Sequence, residues 1–460
     1  MLKVFSHYFP SHTLQQILLD ALLLFVAIVL AVTFQAHAEA VEWSVVVPSG
    51  LIFAFLMVAL NSAMGLYRPA AQYSHRAAIA RVLLSVLVSL PVAYGVFRWL
   101  PWSGFDSGAM QASVLLMLGV VLSMRALVNR RQTSSLFAPR VLILGTGPDA
   151  LAVQRALANP AQGGMEIVGF YSGGGDDPVE VDPRKVLAGS GLIEVVRKLR
   201  VNEVIVAVRE RRGGVLPLRE LLDCKLDGVR VLDLSSFFER VQGQVRVDSL
   251  RASWLIYGDG FRQSLGRALI KRCFDLFTAT VLLLLSAPIM MITALLILFE
   301  DGGPVFYRQE RVGLGGKTFK VTKFRSMRID AEKDGKPRWA SSNDDRATRV
   351  GRIIRKLRID ELPQLLNVLV GDMSLVGPRP ERPYFVDQLA REIPFYGVRH
   401  CVKPGVTGWA QVRYQYGSSV DDAIQKLQYD LYYVKNHTLV LDTLVLFETV
   451  RVVLTGEGAH

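Results

Sequence analysis

Cysteine is scarce in this chain: 460 residues hold three, Cys224, Cys273 and Cys401. They are far apart and odd in number, which implies no disulfide framework and suggests small buried thiols in a reducing compartment. The seven histidines form no pair at metal-ligand spacing, which argues against a zinc site. No tyrosine has a lysine four positions later, so the Tyr-x-x-x-Lys pair of nucleotide-sugar oxidoreductases is missing. The polar stretch between the first two apolar runs has Glu39 and Glu42 but neither lysine nor arginine.

What is abundant is apolar surface and positive charge. Hydrophobic residues make up 51% and the formal net charge is +12. The excess sits mainly after Phe261 and secondarily around the N-terminal apolar runs, while residues 139–260 are close to neutral. That distribution favours a membrane surface and phosphorylated substrates over nucleic acid.

Four apolar runs precede residue 130, at 14–34, 48–66, 82–100 and 110–128. Each approaches the ~20 residues a helix needs to cross ~30 Å of hydrocarbon. Basic residues flank alternate ends: Lys3, then Arg68, Arg76 and Arg81, then Arg125, Arg130, Arg131 and Arg140. This places the N-terminus and everything after residue 130 in the cytoplasm, with residues 1–138 forming a four-helix transmembrane bundle. Asp20, near the cytoplasmic end of the first run, is expected to reach the interface.

From Pro139 the pattern changes to alternating short strands and helices, the signature of a parallel sheet. Gly145-Thr146-Gly147-Pro148-Asp149-Ala150 follows the first strand, as a phosphate-binding turn would. The second strand ends without an acid to hold a ribose. Residues 139–260 therefore read as a Rossmann-like domain, either nucleotide-binding or degenerate.

The third domain, 261–460, is expected to be a mostly α catalytic unit that opens with a membrane helix over 269–299. Arg262, Arg267, Lys271 and Arg272 stand before this run, and Arg308, Arg311, Lys317, Lys320 and Lys323 after it. A spanning helix would put one cluster outside. Pro288, preceded by Ser286 and Ala287, removes a backbone donor mid-run, so a helix that enters, bends and returns reconciles length with charge. Further on, Arg352 and Arg355 share a helix face. Asp360 and Glu361 precede Leu362-Pro363 and should begin the next helix, where unpaired N–H groups favour negative charge. Arg379 sits between Pro378 and Pro380 on stiff backbone, which suits phosphate recognition. Two carboxylates beside Lys323, Arg352, Arg355 and Arg379 describe a site for a phosphate ester with a divalent cation. Residues 439–454 read as an amphipathic helix.

From Lys271 to about Gly456 the chain resembles the monotopic phosphoglycosyl transferases of the bacterial sugar transferase family. The motifs are Lys271-Arg272-x-x-Asp275, Lys323-Phe324-Arg325-Ser326-Met327, Asp360-Glu361-Leu362-Pro363-Gln364-Leu365, Gly377-Pro378-Arg379-Pro380 and Pro404-Gly405-Val406-Thr407-Gly408-Trp409-Ala410-Gln411-Val412. With the preceding helices and α/β domain, it resembles the large forms that initiate exopolysaccharide or O-antigen assembly. The resemblance implies a re-entrant helix, a cytoplasmic active site at the membrane surface and Mg²⁺ held at Asp360. It implies that Asp360 attacks a UDP-sugar and releases UMP, and that undecaprenyl phosphate then captures the phosphosugar. Glu361 would support metal or leaving group, Pro378 and Arg379 would meet the nucleotide, and Arg355 and Lys323 the phosphates. Lys271 and Arg272 would lie at the lipid-phosphate level. A homodimer follows from the resemblance alone. The rival readings are a membrane-anchored nucleotide-sugar dehydratase or oxidoreductase, and a nucleotide-sensing scaffold.

Overall fold

A computed structural model describes residues 2–4, 7–9, 11–35, 43–63, 67, 119, 138–158, 165–172, 179–187, 191–208, 216–248, 264–328, 331, 346–414, 417 and 419–455. The chain divides into two compact units, one of Met1–Lys3 and Tyr8–Gln242, the other of Val4–His7 and Gly243–His460. Of the four N-terminal apolar runs, the first two form helices α1 (Ser11–Gln35) and α2 (Trp43–Ala63). The third, and all of the fourth except Gly119, lie outside the described residues. Asp20 is buried in line with Leu24 and Ala27, one helical face of α1.

Residues 138–242 form a five-stranded parallel sheet of β1 (Arg140–Leu144), β2 (Glu166–Tyr171), β3 (Val186–Leu187), β4 (Glu203–Val206) and β5 (Arg230–Asp233). The spatial order is β3-β2-β1-β4-β5, so the winding direction reverses between β1 and β4. Alternation along β1 explains the layers. Val141 and Ile143 pack on α3 (Pro148–Ala158) and α6 (Leu234–Gln242). Leu142 and Leu144 pack on α4 (Leu192–Lys198) and α5 (Leu218–Leu226). Both faces are covered, so β1 reads as an unbroken apolar run. Gly145 at its end has φ +122°, and a Cβ there would lie 2.6 Å from the Ala207 carbonyl oxygen. Close backbone packing therefore accounts for the first glycine of the turn without a ligand.

In the second unit, Gly243–Asp248 join the core ahead of the expected 260/261 boundary. Val245 and Val247 pack with Trp409 and Tyr432, and the Trp409 indole donates to the Gly243 carbonyl at 2.8 Å. Trp409 is fully buried and stacks on Tyr432, and area burial of that size stabilises by roughly 4–6 kcal/mol.

Helix α7 runs from Leu265 to Asp301, four residues earlier and two later than expected, and is long and apolar enough to cross a membrane. Pro288 lies inside the helix and does not end it. The Ser286 hydroxyl donates to the Leu283 carbonyl at 3.3 Å, next to the Leu284 carbonyl whose helical donor Pro288 removes. Middle residues Leu284, Leu285, Met291 and Ile292 are exposed, yet both ends of α7 rest on the same body. Near its start, Arg272 donates to the carbonyls of Val368 and Leu369 at 2.6 and 2.8 Å. At its end, Glu300 accepts the Arg349 and Val350 N–H groups at 2.7 and 2.9 Å, and Arg325 donates to the Asp301 and Gly302 carbonyls.

The rest of this unit holds an antiparallel pair, β6 (Phe306–Val312) and β7 (Thr318–Phe324), then α8 (Arg349–Lys356) and α9 (Gln364–Val370). Parallel strands β8 (Ser374–Val376) and β9 (Gly405–Thr407) flank α10 (Pro383–Glu392) in sequence. Helices α11 (Trp409–Arg413), α12 (Val420–Asn436) and α13 (Leu439–Thr455) close the chain. Of the cysteines expected to be buried, only Cys224 is. Cys273 and Cys401 are exposed on α7 and on the turn before β9, and all three are free.

Candidate active site

Helix α8 is capped before it reaches the site. Thr348 accepts the Gly351 N–H at 2.9 Å, and Glu300 takes two more of the first-turn donors. The helix stops where Arg358 adopts the left-handed conformation, φ 57°. That reversal turns the chain inward into a single 3-10 turn, Ile359–Glu361. The dyad thus sits one turn ahead of α9, not in its first turn, because Pro363 is the residue that caps α9.

The two carboxylates have opposite surroundings. Glu361 Oε1 accepts from Lys323 Nζ at 2.8 Å and from Arg379 Nη2 at 2.9 Å, and Arg358 lies 3.9 Å from Oε2. These cations hold its carboxyl well below the usual range although burial opposes them. Asp360 is 9% exposed, and its carboxylate accepts no hydrogen bond among the described residues. Burial first, then the Glu361 charge, push it up to about 6, while Lys323, Arg379 and Arg355 pull the other way. Glu361 therefore keeps the pair's negative charge, and Asp360 takes up a proton first. The Arg355 side chain, half-buried on α8, makes no hydrogen bond or ion pair among the described residues although its charge reaches Asp360.

The segment carrying Arg379 is clamped. Gly405 N–H donates to the Pro378 carbonyl at 3.0 Å, and Gly377 N–H to the Thr407 carbonyl at 2.9 Å. A Cβ on Gly405 would come 2.1 Å from the Gly377 nitrogen, which explains glycine in both motifs. Asp275, buried in α7, accepts from the Ser374 hydroxyl at 2.8 Å and so fixes β8, the strand leading to Pro378.

The structure thus brings Lys323, Asp360, Glu361 and Arg379 together, with Pro378 buried beside Arg379 and Arg355 at the edge. Arg352 is exposed, and no hydrogen bond or ion pair joins its side chain to the dyad among the described residues. Lys271 is occupied by Asp442 at 2.8 Å and Asp275 at 3.5 Å, and Arg272 by the end of α9. Both fasten α7 to the body. Sequence reasoning missed Arg358, whose position three before Glu361 was the available signal.

Residues 266–456 match the sequence profile described as bacterial sugar transferase. A UDP-glucose:undecaprenyl-phosphate glucose-1-phosphate transferase of Xanthomonas campestris pv. campestris is 32% identical over 73% of this chain and 71% of its own length. The chain belongs to the bacterial sugar transferase family. Among other relatives, a UDP-N-acetylgalactosamine-undecaprenyl-phosphate N-acetylgalactosaminephosphotransferase of Aeromonas hydrophila is 47% identical over 53% of this chain and 56% of its own. A UDP-glucose:undecaprenyl-phosphate glucose-1-phosphate transferase of Escherichia coli K12 is 42% identical over 42% of each. The match to these two spans about half of each relative. The relatives named here are transferases, the class of enzyme that the sequence motifs imply.

Proposed function

We propose that this transferase moves a hexose 1-phosphate from a UDP-sugar to undecaprenyl phosphate, with release of UMP, as the first membrane step of a polysaccharide. The observation that carries the reading is the contrast within the dyad: Glu361 is saturated by cations, whereas Asp360 is buried, unbonded and close to an uncommitted arginine. In this reading an Asp360 carboxylate oxygen attacks the phosphorus bearing the sugar. The bond from that phosphorus to the bridging oxygen breaks, and UMP leaves with the oxygen. An oxygen of undecaprenyl phosphate then attacks the same phosphorus and displaces the carboxylate. Arg355 would meet the diphosphate, and Arg379 and Pro378 the nucleotide. Glu361 keeps Lys323 and Arg379 in place beside the attacked group.

Among the described residues no three His, Cys, Asp or Glu side chains cluster to hold a metal. Mg²⁺ suits such a place, because it binds through one or two carboxylates and completes its shell with water and substrate phosphates. Asp360 is the side chain with open oxygens to receive it. When bound, the ion would offset repulsion between carboxylate and diphosphate.

The two ends of α7 on one body support a re-entrant course, since a spanning helix would carry one end across the bilayer. With α1, α2 and the basic flanks, we read the protein as multi-pass in the inner membrane with Asp360 facing the cytoplasm. The sheet order of residues 138–242 supports the Rossmann-like reading of that domain. Its Gly-rich turn serves packing, and we assign it a structural or regulatory role.

Membranes containing the protein, given undecaprenyl phosphate and a panel of labelled UDP-glucose, UDP-galactose and their N-acetyl analogues, should form one labelled lipid and equimolar UMP. Release of UDP would show transfer of the sugar without its phosphate and would overturn the assignment. The acid limb of the profile follows from the dyad. Only ionised Asp360 can attack, and its pKa is raised to about 6, so UMP release should be half-maximal near that pH, level off about one unit above it and fall toward tenfold per unit below it. A single-turnover pH series at two Mg²⁺ concentrations measures this: bound Mg²⁺ should move the limb down, and a limb at or below pH 4 at the lower concentration would contradict the burial argument.

A further inference from the structure

Arg399 is absent from every motif above, yet it is a deeply buried cation whose side chain reaches the Arg379 backbone. It lies in the 3-10 turn Tyr396–Cys401 and is 6% exposed. Its Nη2 donates to the Arg379 carbonyl at 2.9 Å and lies 2.7 Å from Asp430 Oδ2 on α12. Its Nη1 donates to the Tyr396 hydroxyl at 2.6 Å, and the guanidinium stands 5.1 Å from the centre of that ring. Asp430 is itself 2% exposed. A buried ion pair of this kind is weak support for stability, since apolar side chains of similar volume often do as well. What apolar side chains lack is a directed donor for a particular carbonyl. The neighbouring carbonyl of Pro380 is held by Arg311 at 3.1 Å, and that of Glu381 by the Val312 N–H at 2.9 Å. Arg399 supplies the grip at the residue whose side chain reaches Glu361.

We propose that Arg399, fixed by Asp430, is a positioning residue for the transfer reaction: it holds the Arg379 backbone so that the Arg379 guanidinium stays on the Asp360–Glu361 dyad. The inference rests on the assignment of that dyad and Arg379 to the active site. Lysine at 399 could still pair with Asp430 but could not also serve both the Tyr396 hydroxyl and the Arg379 carbonyl from one planar group.

The test is a double-mutant cycle read by single-turnover UMP release from detergent-solubilised full-length protein. Arg399→Lys should slow release by between about tenfold and 10²-fold, the scale of a small misplacement of a reacting group. In an Arg379→Ala background the same substitution should cost less than twofold, because there is no side chain left to position. An equal loss in both backgrounds, or no loss in the wild type, would overturn the proposal. Asp430→Asn, which keeps the shape and removes the charge, should show the same non-additivity and carries the test if Arg399→Lys does not fold. If Arg379→Ala alone releases UMP at the wild-type rate, the site assignment itself fails and takes the positioning role with it. An impaired Arg379→Ala with additive Arg399→Lys would sink positioning alone.

Discussion

Asp360→Asn should lower transfer by about 10⁴-fold or more, the scale on which loss of an enzymatic nucleophile acts, while leaving the protein as stable as before or more so. The stability half follows from the surroundings. The Asp360 carboxylate accepts no hydrogen bond among the described residues, so a neutral amide forfeits no contact there. It also removes a charge that burial and Glu361 disfavour. The activity half follows from chemistry, because an amide oxygen is a poor nucleophile toward phosphorus. Acid-quenched protein incubated with a UDP-sugar labelled in the sugar should carry label in the wild type and none in Asp360→Asn. Full turnover by the variant would end the covalent mechanism. A lower melting temperature would show that Asp360 serves the fold.

The dyad and its cations were legible because charge, prolines and glycines concentrate there, and each has a local physical meaning. Asp360 and Glu361 before Leu362-Pro363 announce a turn, and Pro378 and Pro380 announce a stiff frame for Arg379. The alternation of β1 with its flanking helices gave the parallel sheet for the same reason, since periodicity is a local property. Hidden were pairings made over long sequence separations. Nothing near Lys271 shows that its ammonium is taken by Asp442, 171 positions away. Nothing near Arg399 shows Asp430. Arg352 and Arg355 look equivalent by spacing, yet the fold leaves Arg352 exposed and Arg355 half-buried where its charge reaches Asp360. Helix α7 lies between these cases. Its apolar length and Pro288 were visible, but that both ends rest on one body depends on Arg272 finding α9 and Glu300 finding α8.

Asp442→Ala should be among the most destabilising single changes in the second unit. Asp442 is completely buried on α13, with Lys271 Nζ at 2.8 Å from Oδ2 and the Tyr433 hydroxyl at 2.7 Å from Oδ1. Removing one member of a buried pair leaves the other uncompensated and costs about 3–5 kcal/mol. Against a total stability of about 5–15 kcal/mol, such a loss should show as a sharp drop in melting temperature and in folded yield from membranes. Asp442→Asn keeps a partner for Tyr433 and should fall between. The pair can also be removed whole: Lys271→Met with Asp442→Leu should recover part of the stability, since neither member is left facing the other's absence, while the buried Asp275 loses its lysine and keeps the Ser374 hydroxyl. That double variant separates two roles for Lys271. If the lysine only fastens α7 to α13, the repaired protein turns over with an unchanged KM for undecaprenyl phosphate. If its ammonium also meets the lipid phosphate, KM for the lipid rises while KM for the UDP-sugar stays where it was.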